Sequence, residues 1–261
     1  MNKVILFVIF IISASFAHAG DKKLAQIKEL IANEEAKGYS GTALVAEKGV
    51  ILYRGGVGFA DRESNRKQSA ETVFSVGSIT KQFTAAAIMK LEAKGKLSVN
   101  DPLSKFFPDA AADKKDITIH QLLTHASGFT EVLGDDYDTI SAKSFTALAM
   151  KSDLTSKPGS NYLYSNVGYS ILGIIVEIAS GTEYEQFLRN ELFLPSGMKQ
   201  TGYLLPGFRK DQLAVGYKDG NRWGTALDHP WAADGPGWHL RGNGGILDRK
   251  STRLNSSHTV I

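Results

Sequence analysis

Ser78-Ile79-Thr80-Lys81 places a hydroxyl and an amine three residues apart at the start of an apolar-periodic stretch. On a right-handed helix, positions three apart lie on one face, so the lysine amine can reach the serine hydroxyl and take its proton. An unassisted serine is a weak nucleophile, and a neighbouring base is one way to activate it. The same spacing recurs at Ser64 to Lys67 and at Ser196 to Lys199. Ser64 lies in the charged run DRESNRKQ, which has no apolar period and predicts a solvated loop. Ser196 sits between Pro195 and Gly197 and predicts a turn. Ser78 follows Gly77 and opens a stretch to Lys94, with Ile79, Phe83, Ala86, Ala87 and Leu91 at helical spacing and Gly95 as C-cap. There the backbone N–H groups and the helix dipole favour developing negative charge. On the tetrapeptide alone, a serine that merely caps the helix is an equal alternative.

Tyr164-Ser165-Asn166 is the one Tyr-x-Asn in the chain, and it lies just before a strongly apolar segment. A phenol beside an ammonium can relay protons. An asparagine amide can hold both a substrate carbonyl and a lysine. The alternative is a tyrosine that packs on a core.

These groups need positioning elements. Leu24, Ile27 and Ile31 space an amphipathic helix ending near Gly38. Thr42 to Glu47 and Val50 to Gly55, split by Lys48-Gly49, predict a hairpin. Helices are predicted from Ile117 to Leu123, from Ser144 to Lys151 and from Glu183 to Phe193 before Pro195; Val167 to Ala179, apolar nearly all round, predicts a buried one. Gly207 to Gly245, with many glycines and Trp223, Trp231 and Trp238, predicts loops with short strands. A two-stranded sheet is marginal alone. The unpaired apolar hairpin edge predicts that residues 20–247 alone aggregate or fold poorly.

The ends have a different character. Lys3, the apolar run Val4 to Ile12 and Ala17-His18-Ala19 form a predicted signal peptide, 1–19, too short to span a bilayer comfortably. Asp248 to His258, DRKSTRLNSSH, resembles one reading frame of a sequencing adaptor, so 248–261 is expected to be a non-native tail on a serine hydrolase domain, 20–247, incomplete at its C-terminus. The formal net charge is +3, and Lys3 together with the excess of Arg249, Lys250 and Arg253 over Asp248 accounts for all of it. Basicity therefore gives no argument for nucleic acid or an anionic membrane as partner. The chain has no cysteine, which excludes disulfides, thiolate metal sites and a cysteine nucleophile.

Five ordered blocks, FSVGSITKQFTA (Phe74 to Ala85), LSVNDPLSKFFP (Leu97 to Pro108), ITIHQLLTHASGF (Ile117 to Phe129), YSNVGYSILGIIVE (Tyr164 to Glu177) and LPSGMKQTGY (Leu194 to Tyr203), resemble the serine β-lactamase and penicillin-binding protein superfamily, in its class C β-lactamase-like branch. The resemblance runs from about Gly41 to Leu247 and implies an α/β (α+β) fold, an antiparallel sheet domain plus a mainly helical domain, with the C-terminal sheet strands missing. It implies that Ser78 is the nucleophile, that Lys81 accepts its proton together with Tyr164, that Tyr164 protonates the leaving group, and that Asn166 binds substrate and orients Lys81. The Ser78 N–H is the implied oxyanion donor. The family's third box, Lys-Thr-Gly or His-x-Gly, is not found. Lys218-Asp219-Gly220 is a loose match that predicts a turn; Lys199 to Gly202 is one residue too long, and His229-Pro230-Trp231 has the wrong third residue. His120 and His125 are read as structural. The tryptophans are read either as a rim of the cleft or as loop packing. Gly56-Val57-Gly58 lacks the third glycine of a dinucleotide loop, and no Gly-x-Ser-x-Gly is present.

The resulting expectation is an exported, periplasmic or secreted serine hydrolase. It would act through an acyl-enzyme on a β-lactam, a D-Ala-D-Ala-type peptide or an ester, in the manner of a β-lactamase or D-alanyl-D-alanine carboxypeptidase. No cofactor, metal, nucleic acid or lasting membrane anchor is expected; the partner is a small-molecule or peptide substrate. The alternatives are a penicillin-binding sensor that acylates without turnover, or an inactive fragment.

Overall fold

The structure, a computed structural model, describes residues 21–229, 231 and 235–249. The predicted leader and residues 250–261 of the predicted tail lie outside them. Helix α1 (21–36) leads into strand β1 (Gly41–Glu47), which pairs antiparallel with β2 (Val50–Val57). Lys48 and Gly49 join the two strands with φ of 49° and 79°, the left-handed pair that a two-residue hairpin turn demands. Three further antiparallel pairs follow: β3 (Phe59–Asp61) with β4 (Arg66–Lys67), β5 (Val73–Ser75) with β8 (Leu247–Arg249), and β6 (Gly216–Lys218) with β7 (Asn221–Gly224). The sheet half of the fold therefore consists, among the described residues, of four separate two-stranded pieces.

The rejected motifs fall where their local chemistry puts them. Ser64 is exposed in the β3–β4 turn, Ser196 lies in a turn, and Asp219-Gly220 turns β6 into β7. Asp248 and Arg249, assigned by sequence to the tail, pair with Phe74 and Val73 across β5 and β8.

The helical half is organised around α5 (Asn166–Ser180). Its residues from Val167 to Val176 are all buried, as their continuous apolar character predicts. Helices α2 (Thr80–Ala93), α3 (Ile119–Leu123), α4 (Ala142–Lys151) and α6 (Tyr184–Leu188) pack against it. The helix predicted to run to Phe193 changes to a π-helical turn at Arg189–Phe193. Ile88, Leu91, Leu122, Phe129, Phe145 and Phe193 join the α5 residues in one core. Each such aliphatic or phenylalanine side chain, fully buried, stabilises the fold by about 1.5–3 kcal/mol. A smaller cluster of Val73, Leu213, Ala226 and Leu247 lies at the β5–β8 pair. Trp238 belongs to the main core, 3% exposed, and so packs rather than rims. Trp223 is half-exposed, stacks on His229 at 3.9 Å, and lines a cavity of about 390 Å³ with Phe59, Phe74 and Tyr137.

Candidate active site

Ser78 occupies a 3₁₀ turn, Gly77–Ile79, that runs directly into α2. The turn keeps the three-residue spacing effective: Lys81 Nζ lies 3.2 Å from Ser78 Oγ. Lys81 is 6% exposed, on the same buried face of α2 as Thr80 and Thr84. Its other two donors reach Asn166 Oδ1 at 2.7 Å and the Asn243 carbonyl at 2.9 Å. An ammonium has three donors, so a protonated Lys81 finds all its partners in place. Burial is the largest influence on Lys81 and pushes its pKa down; Tyr164, Asp136 and Glu131 act in the opposite direction.

Tyr164 Oη lies 2.8 Å from Ser78 Oγ, and the Lys81 ammonium sits 4.8 Å over the Tyr164 ring. Local structure fixes this placement. Ser165 is the N-cap of α5: its hydroxyl accepts from Gly168 N–H at 3.0 Å and donates to the Thr130 carbonyl at 2.8 Å. An N-cap satisfies an otherwise orphaned amide of the first turn. Here it also puts Tyr164 immediately before the N-cap of a rigid helix and makes Asn166 the first residue of that helix. The Asn166 N–H donates to the Glu131 carbonyl at 2.9 Å.

Two contributors were not legible in the sequence. One is the turn at 239–246. Asn243 Nδ2 donates to Ser170 Oγ of α5 at 2.9 Å and to the His239 carbonyl at 2.6 Å, which aims its own carbonyl at Lys81. The turn is bolted to α2 by Ile246 N–H donating to Thr80 Oγ1 and by Thr84 Oγ1 donating to the Gly242 carbonyl. Gly242 is required by close approach, since a Cβ there would stand 2.4 Å from the Tyr169 carbonyl oxygen. The buried threonines at 80 and 84, one turn apart beside Lys81, were the available sequence signal. The other contributor is His125, whose ring lies 4.6 Å from that of Tyr164. His120, by contrast, is exposed on α3.

The four predicted site residues thus converge from two places in the chain, 78–81 and 164–166, with the nucleophile-to-base and base-to-orienter contacts that serine acyl transfer uses. The beta-lactamase family model matches residues 26–247. The chain belongs to the beta-lactamase family. Within this serine β-lactamase and penicillin-binding protein superfamily it is 34% identical over 203 residues to the putative penicillin-binding protein PbpX of Bacillus subtilis (strain 168), covering 76% of this chain and 51% of that protein. It is 33% identical over 190 residues to penicillin-binding protein 4* of the same organism, covering 69% and 42%. The octameric penicillin-binding protein homologue from Pyrococcus abyssi superposes with a TM-score of 0.74 at 26% identity, covering 88% of this chain and 55% of that one. The chain spans about half the length of the curated relatives it matches. The α/β fold expected from the motif blocks is the fold of this family.

Proposed function

We propose that this beta-lactamase family chain is an exported serine hydrolase that forms an acyl-enzyme at Ser78. The observation that carries the reading is the position of Ser78 Oγ, 3.2 Å from Lys81 Nζ and 2.8 Å from Tyr164 Oη. Lys81, with Tyr164 as relay, takes the serine proton as Oγ attacks a carbonyl carbon. The carbonyl electrons move to oxygen, where the Ser78 N–H stabilises them. Collapse of this adduct breaks the bond to the leaving nitrogen or oxygen, which takes its proton from Tyr164. Water then attacks the acyl ester, passing its proton to the Tyr164–Lys81 pair, and Ser78 recovers its own. Burial opposes charge on Lys81 before transfer, whereas Asn166, Asn243 and Ser78 hold the ammonium after it. The substrate is an amide or ester in this reading: a β-lactam, a D-Ala-D-Ala-type peptide or a simple ester.

A second reading, an acylated sensor, is favoured by the two Bacillus subtilis relatives being named penicillin-binding proteins. One experiment tests both. The protein is incubated with a fluorophosphonate and with a penicillin, and the adduct is mapped by mass spectrometry, with Ser78→Ala as control. An adduct on Ser78 supports acyl-enzyme chemistry, and an adduct elsewhere or none overturns it. Steady turnover of a chromogenic ester or cephalosporin marks a hydrolase; a stoichiometric burst without turnover marks a sensor.

A further inference from the structure

His125 is built into the backbone that carries Tyr164, and it grips that tyrosine from three sides. The Leu163 N–H donates to the His125 carbonyl at 2.7 Å. The Ser165 N–H donates to His125 Nδ1 at 3.1 Å. Between these two anchors, the His125 ring lies 4.6 Å from the Tyr164 ring at an interplanar angle of 30°. Tyr169 of α5 packs on the same ring at 5.0 Å and Tyr162 meets it edge-on at 5.7 Å.

The backbone adds an independent observation. His125 ends α3 with φ of +57°. Its N–H donates to the Leu122 carbonyl, and the Ala126 N–H donates to that of Gln121. This left-handed position after a helix normally takes glycine or asparagine. A histidine here accepts a strained backbone conformation, and such strain persists where the side chain is held by its surroundings.

We propose that His125 is a positioning residue that must be neutral, accepting from Ser165 through Nδ1, for Tyr164 to sit against Ser78. This rests on the acyl-enzyme reading of Ser78. A neutral ring with Nδ1 as acceptor carries its proton on Nε2. Protonation puts a second hydrogen on Nδ1, removes the Ser165 bond and adds a cation beside Lys81. The charged and titratable groups facing the ring are Lys81 from α2, Tyr162 and Tyr164 from the segment before α5, and Tyr169 from α5. Burial, then the Lys81 charge, hold the His125 pKa below its ordinary value. The neutral form is therefore the working form down to mildly acidic pH, and acylation carries an acid limb that belongs to His125.

The test has two arms. Long-range proton–nitrogen NMR of the wild-type protein reads the ring directly: the inference expects an unprotonated Nδ1 and a protonated Nε2 at neutral pH, and the opposite tautomer overturns it. The second arm follows the rate of Ser78 acylation by a fluorophosphonate against pH in wild type, His125→Phe, which keeps an aromatic face without the acceptor, and His125→Asn, which suits the left-handed backbone. Thermal melts confirm that each variant is folded. The expected result is a tenfold or larger loss of acylation rate in both variants, with the acid limb removed or displaced. A folded variant with the wild-type rate and limb overturns the inference while leaving Ser78 chemistry intact. If wild type gives no Ser78 adduct, the hydrolase reading fails instead, and the tautomer still decides the state of the ring.

Discussion

Lys81 is where competing physical effects meet. Burial disfavours its charge, while Tyr164, Asp136 and Glu131 favour it, and the three oxygen acceptors around Nζ are placed for the charged form. Acylation needs the free amine, so its rate should also rise with pH through a Lys81 titration that lies below the ordinary lysine range, a step separate from the His125 limb and retained in His125→Asn. Asp136→Asn removes a carboxylate that raises the Lys81 pKa; the rising limb should move to lower pH, measurable in the same rate profile. Lys81→Ala should cost about 10²–10⁴-fold in acylation rate, the usual contribution of a positioned acid–base group. Tyr164→Phe should lose acylation too while keeping the ring stack on His125. A wild-type rate in either variant counts against the proton route through that side chain.

At the scale of elements, two junctions decide whether those residues meet. The first is the N-cap of α5. Ser165→Ala removes the Gly168 cap bond and the Thr130 bond, and should destabilise the protein by about 1 kcal/mol, read by chemical denaturation. Acylation should fall as well, because Tyr164 and Asn166 flank the capping residue. The second junction is the contact of the 239–246 turn with α2 and α5. Gly242→Ala forces a methyl against the Tyr169 carbonyl, and overpacking of this kind costs about 1–3 kcal/mol. Since the neighbouring Asn243 carbonyl is a Lys81 acceptor, the same variant should show slower acylation. Full activity with a lowered melting temperature would mean that the turn supports the fold and not the base.

At the scale of the whole molecule, stability rests on the α5-centred core rather than on the strands. Ile175 is fully buried, and Ile175→Ala should cost about 2–5 kcal/mol, read as a shift in denaturation midpoint. Acid should weaken the fold as well. Burial lowers the pKa of both His125 and His239, so the unfolded chain binds more protons than the folded one once pH falls into the ordinary histidine range. Stability then rises with pH across that window and is lost below it. Denaturation midpoints measured on both sides of the window check the sign. Among the described residues, the four two-stranded sheets bring little independent stability, since a lone pair of strands is marginal in water.

Spacing together with the apolar period of the stretch that follows was enough to single out Ser78 with Lys81, because a continuous run of helical turns fixes which neighbours share a face. It was also enough to locate α5, because a helix apolar on all sides has to be buried. The type I′ turn at Lys48-Gly49 and the Lys218-Asp219-Gly220 turn were readable for the same local reason: few residues adopt a left-handed backbone at low cost. The rest depended on contacts between segments far apart in the chain. Asn243 stands 162 positions from the lysine it touches, and a backbone carbonyl leaves no mark in residue type. Residue type gave His125 only a structural reading; folding set its Nδ1 against the Ser165 amide. Residue type and short-range period determine which groups are available; long-range close approach, here through Gly242 and the buried face of α2, decides which of them face one another.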